Sequence, residues 1–287
     1  MKALPFLAGT LLLASCQNQA GNQESNQQDQ VSGPSLELIW ETDDELETNE
    51  SVLYDPSSKQ LYVSCINGKP TERDTNGYIA IVDLEGDIQK KIWAEGFSAP
   101  KGMAIANGRL FVSDIDRIVS ISLSNPADQY FVQVPNSRFL NDITPGLNGV
   151  YFSDMATGHL YYLENQIVHL LNENLPNLNG LAFFNQSLYA LSNNGLQKLS
   201  VGGEVLETIN AELSGGDGLI VVNDNKFILS RWKGEVWLLK GAEATLVLDS
   251  KEEEIQTADI GYDPLSKTLY VPRFFANKVS AYQVKGF

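Results

Sequence analysis

Tyr54-Asp-Pro-Ser-Ser-Lys-Gln-Leu-Tyr-Val-Ser64 and Tyr262-Asp-Pro-Leu-Ser-Lys-Thr-Leu-Tyr-Val-Pro272 agree at eight of eleven positions, at an offset of 208 (262 − 54). A near-copy at each end of a chain is the mark of a repeat array. Five intervals of about 41.6 residues span that offset, so four further units should lie between. They are found at Lys101-Gly102-Met103 before Leu110-Phe111-Val112, and at Asn141-Asp142-Ile143 before Phe152-Ser153-Asp154. The other two are Asn179-Gly180-Leu181 before Leu188-Tyr189-Ala190, and Asp217-Gly218-Leu219 before Phe227-Ile228-Leu229. The total is six units.

Each unit reads as short apolar or β-branched strands broken by turn residues such as Asp55-Pro-Ser-Ser-Lys59, Asn107-Gly108 and Asn148-Gly149. No stretch after residue 15 keeps a helical period for three turns. Fourth strands are expected at Ile88–Trp93, Tyr130–Val134, Ile167–Leu171, Val205–Ile209 and Ala244–Leu248. The sixth unit stops after three strands, near Val284, and Leu36-Glu-Leu-Ile-Trp40 supplies the missing one from the other end. The pattern predicts an all-β fold, a six-bladed β-propeller closed by its N-terminal strand, over residues 35–287. At about 42 residues per unit, the blades have the usual size. A five- or seven-bladed ring is the alternative.

The chain carries 36 acidic and 20 basic residues among 287, a formal charge of −16. Such a surface repels phosphate backbones, so no nucleic-acid partner is expected. Two histidines and two cysteines, one of them read below as lipidated, are too few for a two-cysteine, two-histidine zinc site.

Met1 and Lys2 precede an apolar run from Leu4 to Ala14, too short to span a bilayer as a helix. The run ends in Leu13-Ala14-Ser15-Cys16, which resembles the lipobox of bacterial lipoproteins. The resemblance implies a signal peptide over residues 1–15, cleavage before Cys16 and acylation of its thiol. Cys65 would then be the one free thiol, with no intrachain disulfide. Residues 17–34 hold nine Asn or Gln among 18 and read as a flexible tether, so that 16–34 joins lipid to propeller. The chain would reach a membrane only through the Cys16 anchor, in the bacterial cell envelope. Gln17, in place of a retaining aspartate, favours the outer membrane.

Alignment of the units places Glu50, Lys101, Asn141, Asn179, Asp217 and Asp259 at the start of successive inner strands. In a propeller such residues converge at one end of the axis. Converging carboxylates repel one another and call for a cation; oxygen-only donors, two of them amides, suit calcium rather than zinc. A purely structural ring, capping turns and spacing blades, is the other reading.

The inner-strand segments resemble the SMP-30/gluconolactonase group, whose members are six-bladed propellers with a central divalent metal. The resemblance implies metal ligands at Glu50, Asn179 and Asp217, with Asn141 close to metal and substrate. It also implies that Asp217 acts as general base in hydrolysis of a small lactone or ester. Arg138, Asn141, Lys101 and Asp259 are then substrate-binding candidates. The segment Asn49-Glu50-Ser51-Val52 lacks the family's Gly-Glu-Gly-Pro surround, Arg138 is one residue out of register, and Lys101 matches no family ligand, its ammonium either sitting beside the metal or replacing it by pairing with the carboxylates. A non-catalytic propeller binding a ligand or an envelope partner is the second functional reading, and a monomer is expected in either case. No serine triad is expected: His159 and His169 fall outside the ring, and Asp114, Asp116 and Asp154 read as turn caps.

Overall fold

The computed structural model describes Met1, Ala3 and residues 33–287. Apart from Met1 and Ala3, the signal segment, Cys16 and all of the tether before Gly33 lie outside the described residues. Six four-stranded antiparallel sheets form the blades of a β-propeller. The strand β1 (Ser35–Glu41) comes first and belongs to the last blade.

Blade one is β2 (Asn49–Asp55), β3 (Gln60–Cys65), β4 (Gly77–Val82) and β5 (Ile88–Phe97). Blade two is β6 (Pro100–Ala106), β7 (Arg109–Asp114), β8 (Arg117–Ser122) and β9 (Asn125–Gln133). Blade three is β10 (Leu140–Pro145), β11 (Val150–Asp154), β12 (His159–Glu164) and β13 (Ile167–Asn172). Blade four is β14 (Leu181–Phe184), β15 (Ser187–Ser192), β16 (Gly195–Leu199) and β17 (Val205–Asn210). Blade five is β18 (Leu219–Asn223), β19 (Lys226–Arg231), β20 (Glu235–Lys240) and β21 (Glu243–Asp249). Blade six is β22 (Gly261–Asp263), β23 (Thr268–Arg273), β24 (Lys278–Lys285) and then β1. A single 3-10 turn, Phe274–Ala276, joins β23 to β24.

Closure follows the expectation: β1 pairs with β24, Leu36 opposite Val284 and Trp40 opposite Ala281. The Trp40 indole also donates to the Leu84 carbonyl at 2.8 Å, tying the closing strand to blade one. The near-copied stretch makes one turn twice. Asp55 accepts from Ser57 N at 2.9 Å and Ser58 Oγ at 2.6 Å; Asp263 does so from Leu265 N at 2.9 Å and Ser266 Oγ at 2.6 Å.

Two-residue periodicity explains why the blades stack. On β3, Leu61 and Val63 pack toward blade six with Tyr270 and Val279, while Tyr62 packs toward blade two with Met103 and Leu110. On β11, Val150 and Phe152 face blade two, and Tyr151 faces blade four. Each blade therefore buries apolar side chains on both faces, in six cores, one per blade junction. Full burial of one such side chain stabilises the fold by about 1.5–3 kcal/mol.

Candidate functional site

The inner strands β2, β6, β10, β14, β18 and β22 surround the axis and all start at the same end. At that end lies a cavity of about 240 Å³ lined by Glu50, Lys101, Asn141, Asn179 and Asp217, with Ile66, Pro70, Phe139, Met155, Trp232 and Phe274 as walls. Five of the six residues aligned in sequence thus meet at one mouth.

The sixth does not. Strand pairing sets Ser51 opposite Ser64. Ile143 pairs with Phe152 and Leu219 with Leu229, so one residue earlier Asp142 is level with Ser153 and Gly218 with Ser230. By the same count Asp259, two before Gly261 opposite Tyr270, is level with Pro272. Asp259 is therefore the counterpart of Ser51, Gly102, Asp142, Gly180 and Gly218. The mouth position in blade six belongs to Ala258. The carbonyls confirm this: the Ser113 hydroxyl donates to the Asn141 carbonyl, and the Ser230 hydroxyl donates to that of Ala258 at 2.6 Å. Asp259 faces a second cavity, of about 250 Å³, shared with Asp142, Thr144 and Phe183. With Asp259 removed, the mouth ring holds two carboxylates and one ammonium.

This second, deeper ring is tightly built. A Cβ on Gly180 would overlap the Asp217 carbonyl oxygen, and one on Gly218 would come within 2.5 Å of Ile260 N and 2.7 Å of Asp259 Oδ1. Glycine at these positions lets neighbouring blades close on the axis. Asp142 accepts from Ile143 N at 2.6 Å and Leu181 N at 2.5 Å; Asp259 Oδ2 accepts from Ser51 Oγ at 2.6 Å.

The mouth ring is different. Glu50 Oε2, Asn141 Oδ1 and Asn179 Oδ1 are buried and accept no hydrogen bond from the described residues. Both amide groups turn their Nδ2 toward Met155 Sδ, at 3.9 Å, and Asn179 Nδ2 also donates to Asp217 Oδ1 at 2.9 Å. Burial pushes the Glu50 carboxyl well above its usual range, and Asp217 adds to the shift. Burial, then Asp259, pushes Asp217 up to about 7, against the Asn179 hydrogen bond that lowers it. Lys101 is 1% exposed. Its ammonium donates to the carbonyls of Ala99 at 2.9 Å and Pro70 at 3.2 Å and sits 4.5 Å from the centre of the Phe139 ring. Burial lowers its pKa to about 8, offset in part by Glu50 and Asp114. Among the described residues it forms no ion pair within 4.0 Å, so it does not neutralise either carboxylate by direct contact.

Among the described residues no group of three or more His, Cys, Asp or Glu side chains is arranged to hold a metal ion. The donor set at the mouth is two carboxylates and two amides, all oxygen. These residues fit a hard cation: unpartnered oxygens from three blades surround one cavity, beside a carboxylate whose charge burial disfavours.

Arg138 stands apart. It is exposed, its backbone N–H is held by Asp154 Oδ2 at 2.8 Å, and its side chain does not line the cavity; Phe139 does. Asp154 also accepts from Phe139, Ala156 and Thr157 N–H groups, and Asp114 from Ser98 and Ala99 N–H and from Arg117, so both fasten loops at the mouth. His159 and His169 sit on β12 and β13, outside the lining. Cys65 is buried on β3, and burial raises its thiol pKa. The wall residues were missed in the sequence, although Ile66, Met155, Trp232 and Phe274 each follow the second strand of a unit.

No family model matches the chain, and no curated protein is similar to it in sequence. Solved structures share the fold. A catalytically inactive virginiamycin B lyase from Staphylococcus aureus, solved with quinupristin, superposes with a TM-score of 0.60 at 14% identity, over 87% of this chain and 99% of that one. A luciferin-regenerating enzyme gives a TM-score of 0.57 at 17% identity over 89% and 98%. A chain from the nidogen/laminin complex gives 0.60 at 15% identity over 75% and 85%. This chain is thus an all-β propeller of six blades, an architecture that serves enzymes and binding proteins alike.

Proposed function

We propose that this propeller hydrolyses a small lactone or ester at a divalent cation, calcium by the character of its donors, held by Glu50, Asn141, Asn179 and Asp217. The observation that carries the proposal is the set of three unpartnered, buried oxygens on three blades around one cavity, beside Asp217. The resemblance of these segments to the SMP-30/gluconolactonase group supports the same four residues.

When bound, the cation would supply positive charge to polarise a carbonyl and to lower the pKa of a water. Asn179 orients the Asp217 carboxylate through its Nδ2 while its own Oδ1 stays available. Asp217, held by the Asn179 amide at the cavity wall, is suited to accept the proton of an attacking water. Lys101 has used two of its three donors on backbone carbonyls, and the third remains for an oxygen that gains charge. Asn141 orients the substrate from the neighbouring blade. Asp259, in the deeper ring, contributes field rather than contact, and Arg138 would act only outside the cavity.

The test is calcium stoichiometry after dialysis, read by calorimetry, together with turnover of a lactone panel by wild type and Asp217→Ala. One bound calcium, with affinity and turnover both lost in the variant, is the expected result. Turnover that survives in Asp217→Ala would overturn the catalytic role. A propeller that binds without turnover is the second reading, favoured by the position of Arg138, and calcium binding with no turnover on any lactone would select it.

We also propose a Cys16-anchored monomer in the bacterial cell envelope, on the strength of Leu13-Ala14-Ser15-Cys16 and the tether behind it. Metabolic labelling with an alkyne fatty acid should mark wild type and not Cys16→Ser.

A further inference from the structure

We infer, on the basis of the hydrolase role proposed above, that the substrates are lactones or esters bearing an alkyl or aryl substituent rather than polyhydroxylated sugar lactones.

The reason lies in a second set of equivalent positions. The residue that follows the second strand of each blade is, in order, Ile66, Ile115, Met155, Asn193, Trp232 and Phe274. Five of the six are apolar. Four of them line the mouth cavity, joined by Phe139 and Pro70. The polar side chains of the lining are the ring residues alone, and all of them belong to the proposed cation and carbonyl chemistry. Above that ring the walls are hydrocarbon, aromatic ring and thioether.

A sugar lactone entering this cavity would press several hydroxyls against carbon. Each would give up water without a replacement partner, which disfavours binding. An alkyl or aryl substituent would instead bury apolar surface against Trp232 and Phe274, whose rings meet edge to face at 4.6 Å. The aromatic surface continues outward: Trp232 is 40% exposed and Phe275, 4.9 Å from Phe274, is 62% exposed. A substituent longer than the cavity would thus stay in apolar contact at the rim. At about 240 Å³ the cavity is below the roughly 300–1,000 Å³ of sites that enclose drug-sized ligands, so a small ring with its tail toward the rim fits and an oligosaccharide does not.

The experiment measures kcat/KM of the full chain, in calcium, for γ-butyrolactone, γ-octalactone, γ-decalactone, dihydrocoumarin and glucono-δ-lactone. In parallel, calorimetry follows binding of non-hydrolysable cyclopentanones carrying the same alkyl groups. The expected result is a gain of up to about fourfold per methylene until the rim is passed, in turnover and in binding. Glucono-δ-lactone should be the poorest substrate. Trp232→Ala should lower kcat/KM for γ-decalactone about tenfold more than for γ-butyrolactone, and Trp232→Phe should restore most of the difference. Calcium affinity serves as the check that both variants are folded. Turnover with no dependence on chain length, or with glucono-δ-lactone preferred, overturns this inference and leaves the hydrolase role intact. Chain-length-dependent binding without turnover supports the apolar substrate class and removes the hydrolase role. Absence of both removes both.

Discussion

Two rings of residues surround the axis, adjacent in sequence and opposite in character. Glu50, Lys101, Asn141, Asn179, Asp217 and Ala258 form the mouth; Ser51, Gly102, Asp142, Gly180, Gly218 and Asp259 form the layer one residue further along each strand. In the deeper layer the carboxylates have hydrogen-bond donors from the protein itself, although burial still raises both: Asp142 has two backbone N–H groups and Asp259 the Ser51 hydroxyl. At the mouth three buried oxygens have no partner among the described residues. A buried acceptor without a donor is a cost that a folded chain rarely keeps unless something outside the chain supplies the partner. The contrast separates carboxylates that hold the blades together from those available to a ligand.

The largest effect that tests the contrast is on stability. Asp142→Ala strands the Leu181 and Ile143 N–H groups at a blade junction, and unsatisfied buried donors cost about 1–3 kcal/mol each. Chemical denaturation should show a loss of about 3 kcal/mol or more for Asp142→Ala. Asp217→Ala, measured in chelator, should show little loss, since it relieves a buried charge and frees only the Asn179 amide. Equal losses for the two variants would erase the distinction between the rings.

The next effect is pH-dependent. Burial raises Asp259 to about 6, against the Ser51 and Ile260 hydrogen bonds that lower it, and Asp217 to about 7. A carboxyl whose folded-state pKa is raised contributes its full stability below the unfolded value, about 3.9, and loses it as pH rises through the folded value. In chelator, therefore, the melting temperature should fall between pH 4.5 and about 7, below the range in which Lys101 titrates. Asp259→Asn should flatten that slope by about 2–3 kcal/mol over the window. Calcium should reverse its sign, since a bound cation favours ionised carboxylates. A chelated wild type that gains stability over this range would show that the carboxylates are compensated from within.

The smallest effect is at Ser51. Its hydroxyl supplies one hydrogen bond to Asp259, and Ser51→Ala should cost about 1 kcal/mol in denaturation with calcium affinity unchanged. A change in calcium affinity instead would mean that the two layers act as one site.

Much of this was legible beforehand for a specific reason. The near-copy at 54–64 and 262–272 encodes a turn and a second strand, so it places those elements wherever it occurs. The ring was legible at five of six blades. At the sixth, the offset of 208 carries Ser51 to Asp259 and Glu50 to Ala258, so the expected ring position there is one residue off. One residue of slip reverses the direction of a strand side chain, so Asp259 points to the other cavity. The resemblance puts Arg138 beside Asn141, one residue out of register, whereas its backbone is pinned by Asp154 and its side chain is left outside the cavity.

Local periodicity and turn chemistry determined the strands from the amino-acid sequence alone, and the repeat at an offset of 208 determined the number of blades and the closure by Leu36–Trp40. Which oxygens lack partners, which carboxylates the blades themselves satisfy, and that Ile66, Met155, Trp232 and Phe274 wall one cavity were decided only by the tertiary structure. Those facts depend on distances between residues far apart in sequence, and such distances exist only once the six blades have closed around the axis.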